Sequence, residues 1–156
     1  MIKVVFVCLG NICRSPMAEG LFKKLVQEKG LSDAITVDSA ATGSWNLGNP
    51  PHRGTKQVLK KHQVDTDGMR ARKIDQEDYL TADYIIGMDD TNLSDIEDLR
   101  DPASHAVIRK LMDFVPNPEK ANIPDPYYTG DFEETERLIT AGVKGLLETI
   151  RSEKQL

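Results

Sequence analysis

Five residues separate Cys8 from Arg14, with Ser15 and Pro16 directly behind. The run Val4-Val5-Phe6-Val7 before Cys8 is apolar without alternation, the pattern of a strand buried on both faces. Ser15 followed by Pro16 reads as an N-cap and the first position of a helix. A loop between such a strand and a helix start turns several backbone N–H groups to one point and adds the positive end of the helix dipole, which makes an anion site. Phosphate is the expected guest, cradled by the loop residues Leu9, Gly10, Asn11, Ile12 and Cys13. The Arg14 guanidinium can hold two phosphate oxygens in a planar fork, where a lysine would act as a point charge. The same field favours a thiolate, so Cys8 at the base of the loop is the expected nucleophile. A cysteine at a strand end is ordinarily a small buried hydrophobe. What sets this one apart is its spacing to Arg14 and Ser15. Neither GxGxxG nor GxxxxGK[ST] occurs, which removes the usual nucleotide loops. Cys8 and Cys13 are the only cysteines, and His52, His62 and His105 show no ligand spacing, so no metal site is expected.

A second group of residues lies far along the chain. Pro116, Pro118, Pro124 and Pro126, half of the eight prolines, restrict one loop, and Asp125 sits between two of them. An Asp-Pro pair commonly just starts a turn. A rigidly held carboxyl is also what general acid catalysis requires, and beside a cysteine nucleophile that role is preferred. Residues Ala41 to Pro51 form a loop rich in Gly, Ser, Asn and Pro that carries the only tryptophan, Trp45. Its alternatives are a wall of a substrate cleft or a local plug in the core.

The remaining elements position these groups. Met17, Leu21 and Leu25, with Ala18 and Phe22, make one apolar stripe on a first helix that ends near Gly30. Ala34 to Ala40 reads as a second strand, Pro51 to His62 as a helix, and Met69 to Lys73 as a basic, solvated connection. Asp83 to Met88 is a third strand, after which Asp89 and Asp90 cap a short helix instead of forming a catalytic pair. Ala106 to Phe114 contains a fourth strand, although its periodicity also fits a helix. Asp131, with Glu134 behind it, caps a last helix striped by Leu138, Ile139, Val143, Leu146, Leu147 and Ile150. Strands alternating with helices predict an α/β fold: a single-domain, open, mostly parallel four-stranded sheet with helices on both faces, flavodoxin-like or Rossmann-like. Ligands of such sheets sit outside the strand ends.

At 156 residues, with 39% hydrophobic and 29% charged content, the chain has the size of one globular domain, residues 1–156. A formal net charge of −5 argues against nucleic acid as a partner. No run reaches the length of a membrane span, and Met1-Ile2-Lys3 leads into a strand and not into a signal peptide, so a cytoplasmic protein without membrane attachment is expected. A pair of cysteines with one needed as a thiolate suits a reducing compartment.

The stretch Val7 to Glu19, Val-Cys-Leu-Gly-Asn-Ile-Cys-Arg-Ser-Pro-Met-Ala-Glu, resembles the signature of the low-molecular-weight protein-tyrosine phosphatases, and Asp125-Pro126-Tyr127-Tyr128 resembles their acid loop. Asp38-Ser39-Ala40 adds to the likeness, which runs over nearly the whole chain. The resemblance implies a cysteine nucleophile, a phosphocysteine intermediate, an aspartic general acid and no metal or cofactor. It also supports a hydrogen bond from Ser15 to Cys8, a loop tied together by Asn11, and Trp45 at the cleft. With Leu9, Ile12 and Tyr127, Trp45 would form a slot for the ring of phosphotyrosine, while Tyr128 packs. Family members often carry a histidine near Met69 that supports the loop, and this chain has none. Expected partners are tyrosine-phosphorylated proteins, with inorganic phosphate released as product. Cys13, in the same curled loop, is a candidate redox partner of Cys8.

Three other readings stand beside this one. Thioredoxin-linked arsenate reductases share the loop but resemble proteins with a further cysteine pair, which is absent. Protein-arginine phosphatases are similar and tend to carry threonine where Ile12 stands, so tyrosine is favoured. A phosphate-binding module without turnover would lack Cys8 or Asp125, and both are present.

Overall fold

A computed structural model describes residues Met1–Leu156. Its strands are β1 (Ile2–Cys8), β2 (Ile35–Ala41), β3 (Tyr84–Gly87) and β4 (Val107–Lys110). They form one sheet in the order β2-β1-β3-β4, and every neighbouring pair is parallel. The expected open four-stranded α/β sheet is present, and it is wholly parallel. β1 lies inside it, which is why Val4 to Val7 are fully buried.

The helices are α1 (Arg14–Glu28), α2 (Arg53–Lys61), α3 (Gln76–Thr81), α4 (Asp90–Asp98), α5 (Pro126–Thr129) and α6 (Phe132–Lys154), with a 3₁₀ turn at Leu111–Phe114. Val4, Phe6 and Cys8 face one core, filled from α1, α2 and α6 by Met17, Phe22, Leu59, Leu138 and Leu146. Val5 and Val7 face the other, closed by Tyr79 of α3 and Ile96 of α4. Alternation of side chains along the strand therefore serves two apolar layers. No helix is long and apolar enough to cross a membrane.

Several expected boundaries move. α1 begins at Arg14, with Cys13 at the N-cap position and no side-chain cap. Ser15 does not cap it because its hydroxyl is turned inward, accepting from Asn11 Nδ2 at 2.8 Å and lying 3.1 Å from Cys8 Sγ. The second strand runs one residue later than Ala34–Ala40, ending at Ala41. In the segment 106–114 only four residues are strand and the rest is the 3₁₀ turn, which accounts for the mixed periodicity. α3 was not anticipated: it is six residues long, and its signal is the capping box between Asp75 and Asp78. The basic connection is also not simply solvated, since Arg72 forks onto Asp78 with two bonds of 2.9 Å.

The register pairs Cys8 with Ala41 and Val7 with Gly87, so β1, β2 and β3 end at one edge of the sheet. Loops 9–13 and 42–52 and the residues after β3 gather there, at the usual ligand edge of an open parallel sheet.

Candidate active site

The loop from Cys8 to Arg14 is shaped by bonds on its outer side. The carbonyls of Cys8, Leu9 and Ile12 accept from the N–H groups of Thr42, Gly43 and His52 at 3.0, 2.9 and 2.7 Å. The Cys13 carbonyl accepts from Thr55 Oγ1 at 2.9 Å. No peptide bond in the chain is cis. In a trans peptide the C=O and the following N–H point in opposite directions. The N–H groups of Leu9, Gly10, Cys13 and Arg14 therefore face the hollow of the loop, as an anion cradle requires.

Asn11 makes the turn with φ 57°, a left-handed conformation that asparagine tolerates better than most residues. Its amide, 3% exposed, locks the loop from behind. Nδ2 donates to Ser15 Oγ at 2.8 Å and to Ser39 Oγ at 2.9 Å, while Oδ1 accepts from the Arg72 N–H at 3.1 Å. Ser39 in turn donates to Glu19 Oε1 at 2.6 Å. No histidine stands near Met69, and Arg72 and Glu19 back the loop through Asn11 and Ser39.

Arg14 is 2% exposed and its five N–H groups are divided. Nη1 donates to Asp89 Oδ2 at 2.6 Å and to the Ile123 carbonyl at 2.8 Å, and Nη2 lies 3.5 Å from Asp125 Oδ2. Nε–H and the second Nη2–H have no protein acceptor, which leaves a planar edge able to donate two parallel hydrogen bonds to an anion. Burial works against the charge of Arg14, but Cys8, Asp89 and Asp125 outweigh it and hold its pKa above the ordinary value. Asp89 does cap α4, as expected, accepting from Asn92 N–H at 2.7 Å through Oδ1. Its second oxygen anchors Arg14, a role that sequence reasoning missed. The only available signal was its place just past the end of β3, at the ligand edge.

Asp125 combines both readings of its sequence. Oδ1 caps α5 by accepting from Tyr127 N–H at 3.1 Å, and Oδ2 faces Arg14. The Ile123 N–H donates to the Met88 carbonyl at 3.0 Å, so the proline-rich loop is pinned to the end of β3 two residues before Asp125.

The cleft these elements enclose measures about 300 Å³. Cys8, Leu9, Gly10, Ile12 and Cys13 line it with Trp45, Asn46, Asp125, Tyr127 and Tyr128. Trp45 is 77% exposed, a wall and not a core plug. Its ring rests on Gly43, where a Cβ would lie 2.1 Å from Trp45 Cζ3. Tyr128, expected to pack, is 76% exposed and stands at the rim, edge-on to Tyr127 with centroids 5.2 Å apart. The four-residue α5 offers no interior surface for it to fill. Asn46 was also missed; its amide lies over Gly10, where a Cβ would come within 2.7 Å of Nδ2. Both cysteines are free and buried. Burial, with Asp125 and Cys8 adding to it, pushes the Cys13 thiol up to about 12. No three His, Cys, Asp or Glu side chains gather closely enough to hold a metal ion. A thiol beneath an N–H cradle, a free guanidinium edge and a carboxyl on the facing wall can together accept, transfer and release a phosphoryl group.

A family model described as low molecular weight phosphotyrosine protein phosphatase matches residues 3–156. The chain is 47% identical over 156 residues to the low molecular weight protein-tyrosine-phosphatase YfkJ of Bacillus subtilis, covering 100% of both chains. The crystal structure of YfkJ superposes with a TM-score of 0.93 over 99% of this chain and 97% of that one. The low molecular weight protein-tyrosine-phosphatase PtpA of Staphylococcus epidermidis is 43% identical over 100% of this chain and 98% of its own. A Drosophila arginine phosphatase structure is 35% identical, with a TM-score of 0.89 over 96% of this chain and 98% of that one.

Proposed function

The chain belongs to the low molecular weight phosphotyrosine protein phosphatases, and from that premise we propose that it hydrolyses phosphotyrosine in proteins through a phosphocysteine intermediate. The observation that carries this reading is that Cys8 and Asp125 line one cleft, with Arg14 Nη2 3.5 Å from Asp125 Oδ2. The phosphoryl group rests on the inward N–H groups and the free edge of Arg14. The Cys8 thiolate attacks phosphorus in line with the ester oxygen, and the P–O bond breaks as the P–S bond forms. Asp125 gives its proton to the departing phenolate. With a phenol pKa of about 10, that proton accounts for roughly 10²–10⁴-fold in rate. Asp125, now a carboxylate, then takes a proton from water whose oxygen attacks phosphorus, releasing inorganic phosphate and the Cys8 thiolate. Arg14 and the N–H groups stabilise the charge on the equatorial oxygens in both steps. The Ser15 hydroxyl, 3.1 Å from Cys8 Sγ, donates to the thiolate whenever it is regenerated.

Leu9, Ile12, Trp45 and Tyr127 take the substrate ring, and a slot with two aromatic walls favours phosphotyrosine over the shorter phosphoserine. The apolar Ile12 in the lining supports phosphotyrosine over phosphoarginine. Cys13 is the resolving thiol for an oxidised Cys8. One catalytic domain spans residues 1–156, and its unbridged thiols support a reducing, cytoplasmic setting. The test is phosphate release from matched phosphotyrosine and phosphoarginine peptides. Cys8→Ser abolishes it, and Asp125→Asn lowers kcat by about 10²-fold or more with little change in KM. Release from phosphoarginine alone would move the chain to the arginine-specific reading, and no release would leave a binding module.

A further inference from the structure

His52 takes no part in the chemistry above, yet contacts from three separate elements meet on it. Its backbone N–H donates to the Ile12 carbonyl at 2.7 Å, and its Nδ1 accepts from the Gly54 N–H at 3.0 Å. One face of the ring stacks on Phe132, with centroids 5.0 Å and planes 21° apart. Tyr127 meets it edge to face at 6.2 Å and 81°. Acceptance at Nδ1 orients the ring and places the proton of the neutral imidazole on Nε2. Gly54 makes room for the stack, since a Cβ there would lie 2.5 Å from Phe132 Cζ. A column of rings thus runs from the first residue of α6 through His52 to Tyr127 and Tyr128 at the mouth of the cleft. Tyr127 sits on a single helical turn and is 58% exposed, so little else holds its ring.

We propose that His52 is a positioning residue that determines specificity: it holds Tyr127 as a fixed wall for the aryl ring of the ester and ties that wall, through Ile12, to the loop that grips phosphate. The proposal rests on the phosphatase reading above. Simple capping of α2 would explain the Nδ1 contact but not a ring that meets both Phe132 and Tyr127.

His52→Asn separates the two, because asparagine keeps an acceptor for the Gly54 N–H and removes the ring. The substrate probe is a phosphotyrosine peptide, and inorganic phosphate as competitive inhibitor reads the loop alone. KM for the peptide is expected to rise about two- to tenfold, the worth of one aromatic pair, with kcat and the phosphate inhibition constant nearly unchanged. Phe132→Leu gives a smaller rise in the same direction. An unmoved KM, or a phosphate constant that moves in step with it, overturns the proposal. A readout without turnover accompanies the kinetics. In protein carrying ¹³C-labelled tyrosine, the Tyr127 ring signal, assigned by its loss in Tyr127→Phe, shifts in His52→Asn as the imidazole ring current disappears. An unshifted signal overturns the positioning claim whatever the kinetics. A wild-type protein that releases no phosphate overturns the phosphatase reading instead, and the ring signal then decides the positioning claim by itself.

Discussion

Two cysteines lie in one small loop, and their surroundings give them different work. Cys8 lines the cleft and lies 3.1 Å from the Ser15 hydroxyl, while the buried Arg14 spends its Nη1 protons on Asp89 and the Ile123 carbonyl. Cys13 is pushed up to about 12 by burial and by the nearby Asp125 and Cys8, so it stays a thiol at neutral pH and does not compete as a second anion. On the proposed reading its chemistry is to resolve an oxidised neighbour. Peroxide converts the Cys8 thiolate to a sulfenic acid, and the Cys13 sulfur displaces hydroxide from it, giving the disulfide and water. Because the attacking species is the thiolate, closure is slow at neutral pH. It should speed up about tenfold per pH unit well below the Cys13 pKa. Peptide mass spectrometry after a peroxide pulse at pH 7 and pH 9 checks this. A crosslink that is faster at the higher pH and reversed by dithiothreitol is expected, and a rate flat in pH, or no crosslink, counts against it.

At the scale of elements, α6 bears on where the proline-rich loop before Asp125 starts. The 3₁₀ turn at Leu111–Phe114 leads into that loop and packs on α6 at two glycines. A Cβ on Gly142 would lie 2.4 Å from Leu111 Cγ, a side chain that can give a little. One on Gly145 would lie 2.2 Å from the Phe114 carbonyl oxygen, which is backbone and cannot. Gly145→Ala therefore gains up to about 1 kcal/mol of helix propensity and loses about 1–3 kcal/mol to overpacking. The net expectation is a Tm lower by roughly 2–6 °C, read by thermal melts, with kcat of the folded protein preserved. A raised Tm would mean that the helix shifts freely on the turn. Neither close approach is legible in the sequence, where Gly142 interrupts an otherwise regular stripe and Gly145 lies beside it. The stripe itself was legible, as were the buried run of β1, the caps at Asp89 and Asp131, and the parallel sheet. Local pattern encodes all of these. It misplaced the start of α1 because Ser15 satisfies either an N-cap or the floor of the loop, and the choice depends on Asn11, which bonds it from four residues away.

Across the whole molecule, Arg72 joins parts that are distant in the chain. Its guanidinium bonds Asp78 on α3 through both oxygens at 2.9 Å and Asp38 on β2 at 3.0 Å, and its N–H holds Asn11. In the sequence it is one charge in a basic run, and its partners lie as far as 61 positions away, which is why the site's front was readable and its back was not. The Asp78 side chain is 3% exposed. Burial alone would raise its carboxyl pKa, but the Arg72 fork and the Asp75 N–H outweigh burial and hold it below the usual carboxylate range. A carboxyl lowered in this way contributes stability fully above its unfolded pKa of about 3.9 and loses it as pH falls through the folded value. Arg72→Met should raise the Asp78 pKa, since only Lys3, 3.8 Å away, and the Asp75 N–H then oppose the burial that favours the protonated form. At pH 7 the variant should be less stable by about 3 kcal/mol, the low end for a broken buried pair because 32% of the Arg72 side chain meets water. As pH falls toward 4 the variant's Asp78, without its Arg72 fork, takes up a proton more readily than the wild-type carboxylate. Denaturant midpoints of the two proteins should therefore converge on acidification. Arg72→Met combined with Asp78→Asn should close most of the gap at pH 7 and remove its pH dependence. A gap that stays constant from pH 8 to pH 4 would mean that Asp78 is solvated and that the loop from Cys8 to Arg14 is held from behind by Asn11 and Ser39 alone.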